Sequence, residues 1–444
     1  MLVQLRTNPQ KPNQTVEPVR RSHVFDTPHG AHVLVVDGSR IYSVDDAIAA
    51  ELRDDPANAT HRLEQLGLFD PQRPYITDEA PRSMAVRSLS LAIAQKCNMA
   101  CTYCYAQEGS FGAEPKDMER DAALRSLELL FRDVRAGESV NLAFLGGEPL
   151  VGRPLLRECT ELAFEMGARR SIRTGFSITT NGTLIQPSDG EFFERYGFAV
   201  TISIDGIGET HDRQRPLRGG QGSYARILEN VRPLLASQRR MQVSARVTVT
   251  PSNLRLRETL DKLLSLGFHS VGFSPMLHAP SGDHEMDQEA LAEMLRQMID
   301  CGEEFVRRTI AGQRYAFANL ATAIQEIHKG THRPYPCGAG GGYFGVAADG
   351  DLYACHRFVE DPKGHLGDVR NGVDQAAQAR WLAERHVHTQ SPCASCWARY
   401  LCGGGCHHEV IHRGRPACDY IRGWLDYSLK AYVRIRAEAP AYFL

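Results

Sequence analysis

Apolar positions follow two different rhythms along this chain, and the rhythm changes near residue 86. Upstream, "HVFDTPHGAHVLVVDGSRIYSV" (23–44) predicts two or three short strands broken by turn signals at Pro-His-Gly and Asp-Gly-Ser. "VDDAIAAELRD" follows as a helix with Asp45 and Asp46 near its start, and "ATHRLEQLGLF" predicts a second helix. Strands followed by helices make a small α+β unit over residues 22–82. Residues 1–21, rich in Pro, Gln, Asn and Arg, lack any such pattern and are expected to form a flexible tail.

Downstream, strand-like runs alternate with longer stretches of helical period. The strand-like runs are "VRSLSLAIA", "SVNLAFLGG", "TGFSITTNG", "FAVTISIDG", "MQVSARVTVT" and "SVGFSPM". The helical stretches include "ERDAALRSLELLFRDVRAG" and "SYARILENVRPLLASQ". Strands alternating with helices predict parallel βα units. Six repeats fall short of an eight-fold closed barrel, so the fold class expected over 83–310 is α/β, a partial (β/α)6 TIM-like barrel. Chemistry in such folds sits at the C-terminal ends of the strands, where "GGEP", "TTNG" and "SIDG" fall here. "DQEALAEMLRQMIDCGEEFVRRTIAG" predicts a long amphipathic helix leading into residues 311–444. From about 330 to 425 the chain is rich in Gly and Cys with little periodicity. A segment so poor in apolar faces is expected to rely on metal clusters in place of a core.

Composition narrows the picture. The 444 residues suffice for two or three domains. A net charge of -2 with 23% charged residues gives no argument for nucleic acid or membrane partners. No apolar run approaches the ~20 residues of a membrane-spanning helix. The segment "MLVQLRTNPQKPNQTVEPVRR" lacks the apolar core of a signal peptide, so a cytoplasmic location is expected. Twelve cysteines, all but two concentrated in two places, then argue for metal binding over disulfides. The two outside, Cys159 and Cys301, lie in helix-like apolar patterns and read as buried packing residues.

The first group, Cys97, Cys101 and Cys104, directly follows a strand. Thiolates at such close spacing can converge on one metal or cluster. A closed structural zinc site wants a fourth ligand nearby, and this loop supplies none. The missing position suits a ligand that comes and goes. "CNMACTYCY", with Tyr103 before the last cysteine and "LGGEPL" about forty residues on, resembles the radical S-adenosylmethionine (SAM) enzymes. The resemblance implies a [4Fe–4S] cluster on Cys97, Cys101 and Cys104, which would be the catalytic centre. SAM would chelate the fourth iron and be cleaved to a 5'-deoxyadenosyl radical that abstracts a substrate hydrogen. Gly146 and Gly147 would let the backbone approach the ligand closely, and Glu148 would meet the SAM ammonium. Tyr103, Asn181, Ser203 and Asp205 are further cofactor-binding candidates, and Arg246 is a candidate for the SAM carboxylate. The competing reading of these last positions is ordinary strand-end polar residues.

The second group is Cys337, Cys355, Cys393, Cys396, Cys402, Cys406 and Cys418. Its spacing, with Gly350 before Cys355 and CxxC from Cys393 to Cys396, resembles the seven-cysteine SPASM domain of peptide- and protein-maturing radical SAM enzymes; the competing reading is a zinc-ribbon-like module. The resemblance implies two auxiliary [4Fe–4S] clusters, making three in all. Cys393, Cys396, Cys402 and Cys418 would ligate the outer one, and Cys337, Cys355 and Cys406 the inner one. Some relatives carry an eighth cysteine shortly after the first; "CGAGGGYFG" has Tyr343 about there. The inner cluster would then keep an open iron or borrow a His or Asp. His407 and His408 read as neighbours of these ligands.

The unit over 22–82 resembles the winged-helix-like leader-binding domain of enzymes that mature ribosomally made peptides (RiPPs), which adds the leader as a strand at a sheet edge. The expected reaction is a thioether crosslink from a cysteine sulfur to a carbon of a precursor peptide. The alternatives are a carbon–carbon or carbon–oxygen crosslink, oxidation of Ser or Cys to formylglycine, and a non-enzymatic metal-binding protein that binds a peptide. The expected partners are a leader-bearing precursor and an external electron donor such as flavodoxin or ferredoxin.

Overall fold

The computed structural model describes residues 19–54 and 58–444. The tail expected over 1–21 therefore lies almost wholly outside the described residues. Strands β1 (Ser22–Thr27), β2 (Gly30–Val35) and β3 (Arg40–Val44) form an antiparallel meander. Helices α1 (Asp46–Asp54) and α2 (Ala59–Gln65) follow. The Asp45 carboxylate accepts from the Ile48 amide at 2.8 Å, which caps the first turn of α1. The alternation in β2 sends Val33 and Val35 toward Leu52, Leu63 and Phe69. Its other face, with Phe25 and Val36, packs Leu34 against Trp397, Leu429 and Val433 near the far end of the chain. The small sheet is thus buried on both faces and clamped to the rest of the molecule.

The second sheet begins with β4 (Ser88–Gln95) and a short β5 (Lys116–Asp117), then β6 (Ser139–Gly146), β7 (Arg173–Thr180), β8 (Ala199–Ser203), β9 (Gln242–Val249) and β10 (Val271–Pro275). The six predicted strands are β4 and β6–β10. They pair in parallel in the order β4-β6-β7-β8-β9-β10. Helices α3 (Arg120–Phe131), α4 (Arg153–Arg170), α5 (Pro187–Tyr196), α6 (Glu209–Gln214), α7 (Tyr224–Ser237) and α8 (Leu256–Ser265) lie between them in sequence. This is the partial barrel. Strand β4, "SLSLAIAQ", is buried almost throughout, as a parallel strand covered on both faces must be. Each fully buried Leu or Ile of β4 stabilises the sheet by about 1.5–3 kcal/mol.

The glycine-rich segment corrects one expectation: it shares the barrel's core. After α9 (Gln288–Ile310) and α10 (Ala318–His328), β11 (Tyr343–Val346) adds in parallel to the open edge of β4. Strands β12 (Asp351–Tyr353), β13 (His365–Asp368) and β14 (Gly372–Val373) extend the sheet antiparallel. Phe344, Val346, Leu352, Phe358 and Trp381 join the same apolar cluster as β4 and β6. Helices α11 (Gln375–Arg385), α12 (Arg399–Cys402), α13 (His407–Arg413) and α14 (Cys418–Glu438) complete the chain. α14 crosses α9 where Gly302 admits the Tyr427 ring; a Cβ there would lie 2.4 Å from it. Cys159 and Cys301 are fully buried in this core. Among the described residues, no helix is long and apolar enough to cross a membrane.

Candidate functional site

The loop bearing Cys97, Cys101 and Cys104 leaves the C-terminal end of β4 and is fastened on two sides. On one side, the Ala100 and Thr102 amides donate to the carbonyls of Pro216 and Gln214, both at 3.0 Å. On the other, the Gly147 and Glu148 amides donate to the carbonyls of Ala94 at 2.9 Å and Lys96 at 3.0 Å. A Cβ on Gly146 or Gly147 would lie 2.4 Å from one of those same carbonyl oxygens. The glycines are therefore required by the neighbouring loop, before any ligand is considered. Gly109, which no motif singled out, closes the stack: a Cβ there would lie 2.7 Å from Gly147 Cα and 2.9 Å from Cys97 Cβ.

Glu148 is fully buried. Its Oε1 accepts from Leu150 N at 3.0 Å and Thr180 Oγ1 at 2.7 Å, and its Oε2 from Asn181 N at 2.8 Å. Oε2 thus keeps room for one further donor. Asn181 turns its Nδ2 to Cys97 Sγ at 3.7 Å and Asn98 Oδ1 at 3.0 Å. Asp205, also fully buried, accepts from the Tyr103 hydroxyl, from Thr248 N at 2.7 Å and from Arg215 Nη1 at 3.4 Å. Arg215 also donates to the Tyr103 oxygen at 2.7 Å. Tyr103 and Asp205 are thus committed to each other and to Arg215, a residue the motifs did not indicate. Burial works against the charge on Arg215, but Cys101, Asp205 and Cys104 outweigh it and hold the guanidinium above its ordinary pKa. That places a fixed positive charge beside two of the three thiols. Burial pushes the thiols of Cys97 and Cys101 up to about 11 and about 12, so loading a metal here would release protons.

Ser203 ends β8, in register with Arg246 on β9. Arg246 donates to Ser274 Oγ. It remains exposed, yet surrounding protein lowers its pKa by desolvation. Cys337 and Cys406 are likewise exposed, and burial nonetheless raises both thiols. Cys355 lies with them, its thiol pushed up to about 12 by burial and by the neighbouring Cys406 and Cys337. Tyr343 sits beside this trio, its hydroxyl 2.7 Å from His356 Nδ1. Tyr105 stands between the two groups of cysteines, with Cys104 and Cys355 both among its electrostatic neighbours. The Arg357 guanidinium lies 5.3 Å over its ring and donates to Glu409 at 2.6 Å.

Cys393, Cys396, Cys402 and Cys418 line a single cavity of about 70 Å³, with Cys406, Arg415 and Arg422 at its wall. His407 and His408 begin α13 directly after Cys406, and both are buried.

The thiol spacing distinguishes a single metal ion from a cluster. Two sulfurs on one zinc, each at about 2.3 Å, stand no more than about 4.6 Å apart. Among the described residues, no three cysteine sulfurs lie within 4.8 Å of one another. The groups are too open for a single zinc and accord with a larger, thiolate-held cluster.

Residues 91–244 match the model of the Radical SAM superfamily. The serine-type anaerobic sulfatase-maturating enzyme of Klebsiella aerogenes is 25% identical over 362 residues, covering 78% of this chain and 86% of its own. Native anSMEcpe with bound AdoMet superposes with a TM-score of 0.65 at 18% identity, over 79% of this chain and 99% of the other. Streptococcus suis SuiB superposes with a TM-score of 0.52 at 14% identity, over 90% of this chain and 98% of the other.

Proposed function

We propose, from the premise that this chain is a radical SAM enzyme, that it matures a ribosomally made peptide by installing a thioether from a cysteine sulfur to a carbon. Cys97, Cys101 and Cys104 would hold the cluster that, with SAM, supplies a 5'-deoxyadenosyl radical for hydrogen abstraction. Arg246 and the spare lone pair on Glu148 Oε2 are the groups available to SAM's carboxylate and ammonium. Cys393, Cys396, Cys402 and Cys418 would hold an outer auxiliary cluster.

The observation that carries the thioether reading is the inner trio. Cys337, Cys355 and Cys406 are close neighbours, and beside them stands Tyr343, whose hydroxyl is engaged with His356. Three protein thiolates leave a coordination position for a substrate thiolate, which iron–sulfur clusters bind readily. The small N-terminal sheet supports a peptide substrate. A groove of about 560 Å³ runs beside the edge strand β3, between Arg40–Ser43 and residues of α10 and α14. An extended leader would fit there as an added strand. Arg40 and Arg436 line it, which suits an acidic leader.

A second reading, oxidation of a protein Ser or Cys, is favoured by the likeness to the Klebsiella aerogenes enzyme. One experiment separates the two. A cysteine-containing precursor is incubated anaerobically with reconstituted enzyme, SAM and reductant, then weighed and alkylated. Loss of two hydrogens with one fewer alkylatable cysteine supports the thioether. The same loss with every cysteine alkylatable and no aldehyde refutes it in favour of another crosslink. An aldehyde in place of Ser or Cys supports oxidation. Cys101→Ala should abolish SAM cleavage, whereas Cys337→Ala should leave cleavage in part and block product. Normal product from Cys337→Ala would refute the role given to the inner trio.

A further inference from the structure

We propose that α13 carries, apart from the cysteines, a site for a single divalent ion of the zinc class, held by His408, His412 and Asp361. The sequence run His408-Glu409-Val410-Ile411-His412 places two imidazoles four residues apart, on one face of a helix. One ligand atom each of His408, His412 and Asp361 lies within 4.8 Å of the others. His412 Nε2 already meets Asp361 Oδ2 at 2.7 Å. His408 is only 7% exposed, and among the described residues its Nδ1 has no hydrogen-bond partner. A buried, unpartnered nitrogen costs about 1–3 kcal/mol. Coordination to a metal would remove that cost.

The surroundings fit a cation. The three residues border a cavity of about 280 Å³ that also meets Glu360, Tyr105 and Arg357. Two positive charges stand nearby, and each is paired: Arg357 with Glu409 at 2.6 Å and Arg413 with Glu285 at 2.9 Å. His278 stacks flat on His412, with ring centroids 5.1 Å apart, and its Nδ1 lies 3.3 Å from Glu285. Imidazole and carboxylate donors select zinc and its late first-row neighbours over magnesium or calcium. Three protein ligands with an open fourth position describe an accessible site, not a closed structural one.

The same histidine spacing with an intervening Glu serves zinc peptidases, where the Glu is the general base. Here Glu409 is engaged with Arg357, which argues for a site that binds and orients without hydrolysis. The cavity that these three residues border is also bordered by Tyr105, the residue between the two groups of cysteines.

The test uses the full-length enzyme with its iron–sulfur clusters loaded. Zinc is added by equilibrium dialysis under anaerobic conditions, and its coordination is read at the zinc X-ray edge. We expect one zinc per chain with a nitrogen/oxygen shell at about 2.0–2.1 Å. His412→Gln should weaken binding by at least about 100-fold, and Asp361→Asn, which keeps the side chain's shape, by about 10-fold or more. Iron content should stay at the parent value in both variants. Failure to bind zinc would overturn the proposal. So would a sulfur shell at about 2.3 Å, which would place the zinc among the cysteines. Equal binding by both variants and the parent would also overturn it.

Discussion

Gly109 is the most exacting test of how the first cysteine loop is held. Its φ is +95°, and a Cβ there falls 2.7 Å from Gly147 Cα and 2.9 Å from both Cβ and N of Cys97. Carbon atoms are comfortable at about 3.5–4.0 Å. All three obstacles are backbone or Cβ atoms, so no rotamer change relieves the overlap. Gly109→Ala therefore combines a left-handed penalty of about 1–2 kcal/mol with overpacking of about 1–3 kcal/mol. Gly112→Ala provides the control. Its φ is +83°, but the nearest atom, at 2.9 Å, is the mobile Gln107 Nε2. It should cost the left-handed term alone. The difference of about 1–3 kcal/mol corresponds to roughly 5- to 150-fold in the population of loops that keep Cys97 in place. The assay is the rate of iron loss to a chelator after anaerobic reconstitution. Gly109→Ala should lose iron faster than Gly112→Ala by a factor in that range. Equal rates would refute the claim that close packing against Gly147 positions Cys97.

Three further outcomes are expected. Arg215→Met leaves the fully buried Asp205 carboxylate without its cation and should destabilise the chain by about 3–5 kcal/mol in urea melts; a loss under 1 kcal/mol would mean the pair is solvated. His211, fully buried, accepts from Asp205 N at 3.0 Å through Nδ1, and burial, aided by Arg215, lowers its pKa to about 3. The folded state therefore binds fewer protons than the unfolded chain between about pH 6.5 and 3. Stability is full above that window and falls as the pH drops through it, by about 2 kcal/mol at pH 5 from this residue. His211→Gln should flatten the slope by close to one proton, and an unchanged slope would count against the assignment. Reversing both Arg40 and Arg436 to Glu should weaken binding of an acidic leader about 10-fold at low salt, and less at high salt. Fluorescence anisotropy of a labelled leader reads the effect, and no change would remove the β3 groove from consideration.

The six parallel strands were legible because each carries a short apolar run, three of them ended by Gly-Gly, Asn-Gly or Asp-Gly, and helical period fills the gaps. The small N-terminal sheet was legible for the same reason. Strands β11–β14 were not. They are two to four residues long and flanked by glycines such as Gly342, Gly350 and Gly364, too short for a period of two to register. Their apolar residues are complete only when β4 supplies the neighbouring strand. At the site, the close spacing of Cys97, Cys101 and Cys104 was legible as one loop after a strand, because that spacing is a local property. It gave no sign that the Asp205 carboxylate is occupied by Tyr103, Thr248 and Arg215, since those partners lie far apart in sequence. Gly109 escaped for a related reason: what requires a glycine there is Gly147, on another strand's loop.

The pairing of β11 with β4 has a consequence for engineering. The cysteine-rich segment is not an accessory that can be cut away or traded between enzymes. It completes the sheet whose end bears the first cysteine loop, and removing it would strip β4 of a neighbour along Ser88–Leu91. A chimera that imports this segment must import a matching β4 edge as well, or the two halves will meet out of register. The separation between the two groups of cysteines is accordingly fixed by strand pairing, as a ruler fixes it, and lengthening the linker between them would leave it unchanged.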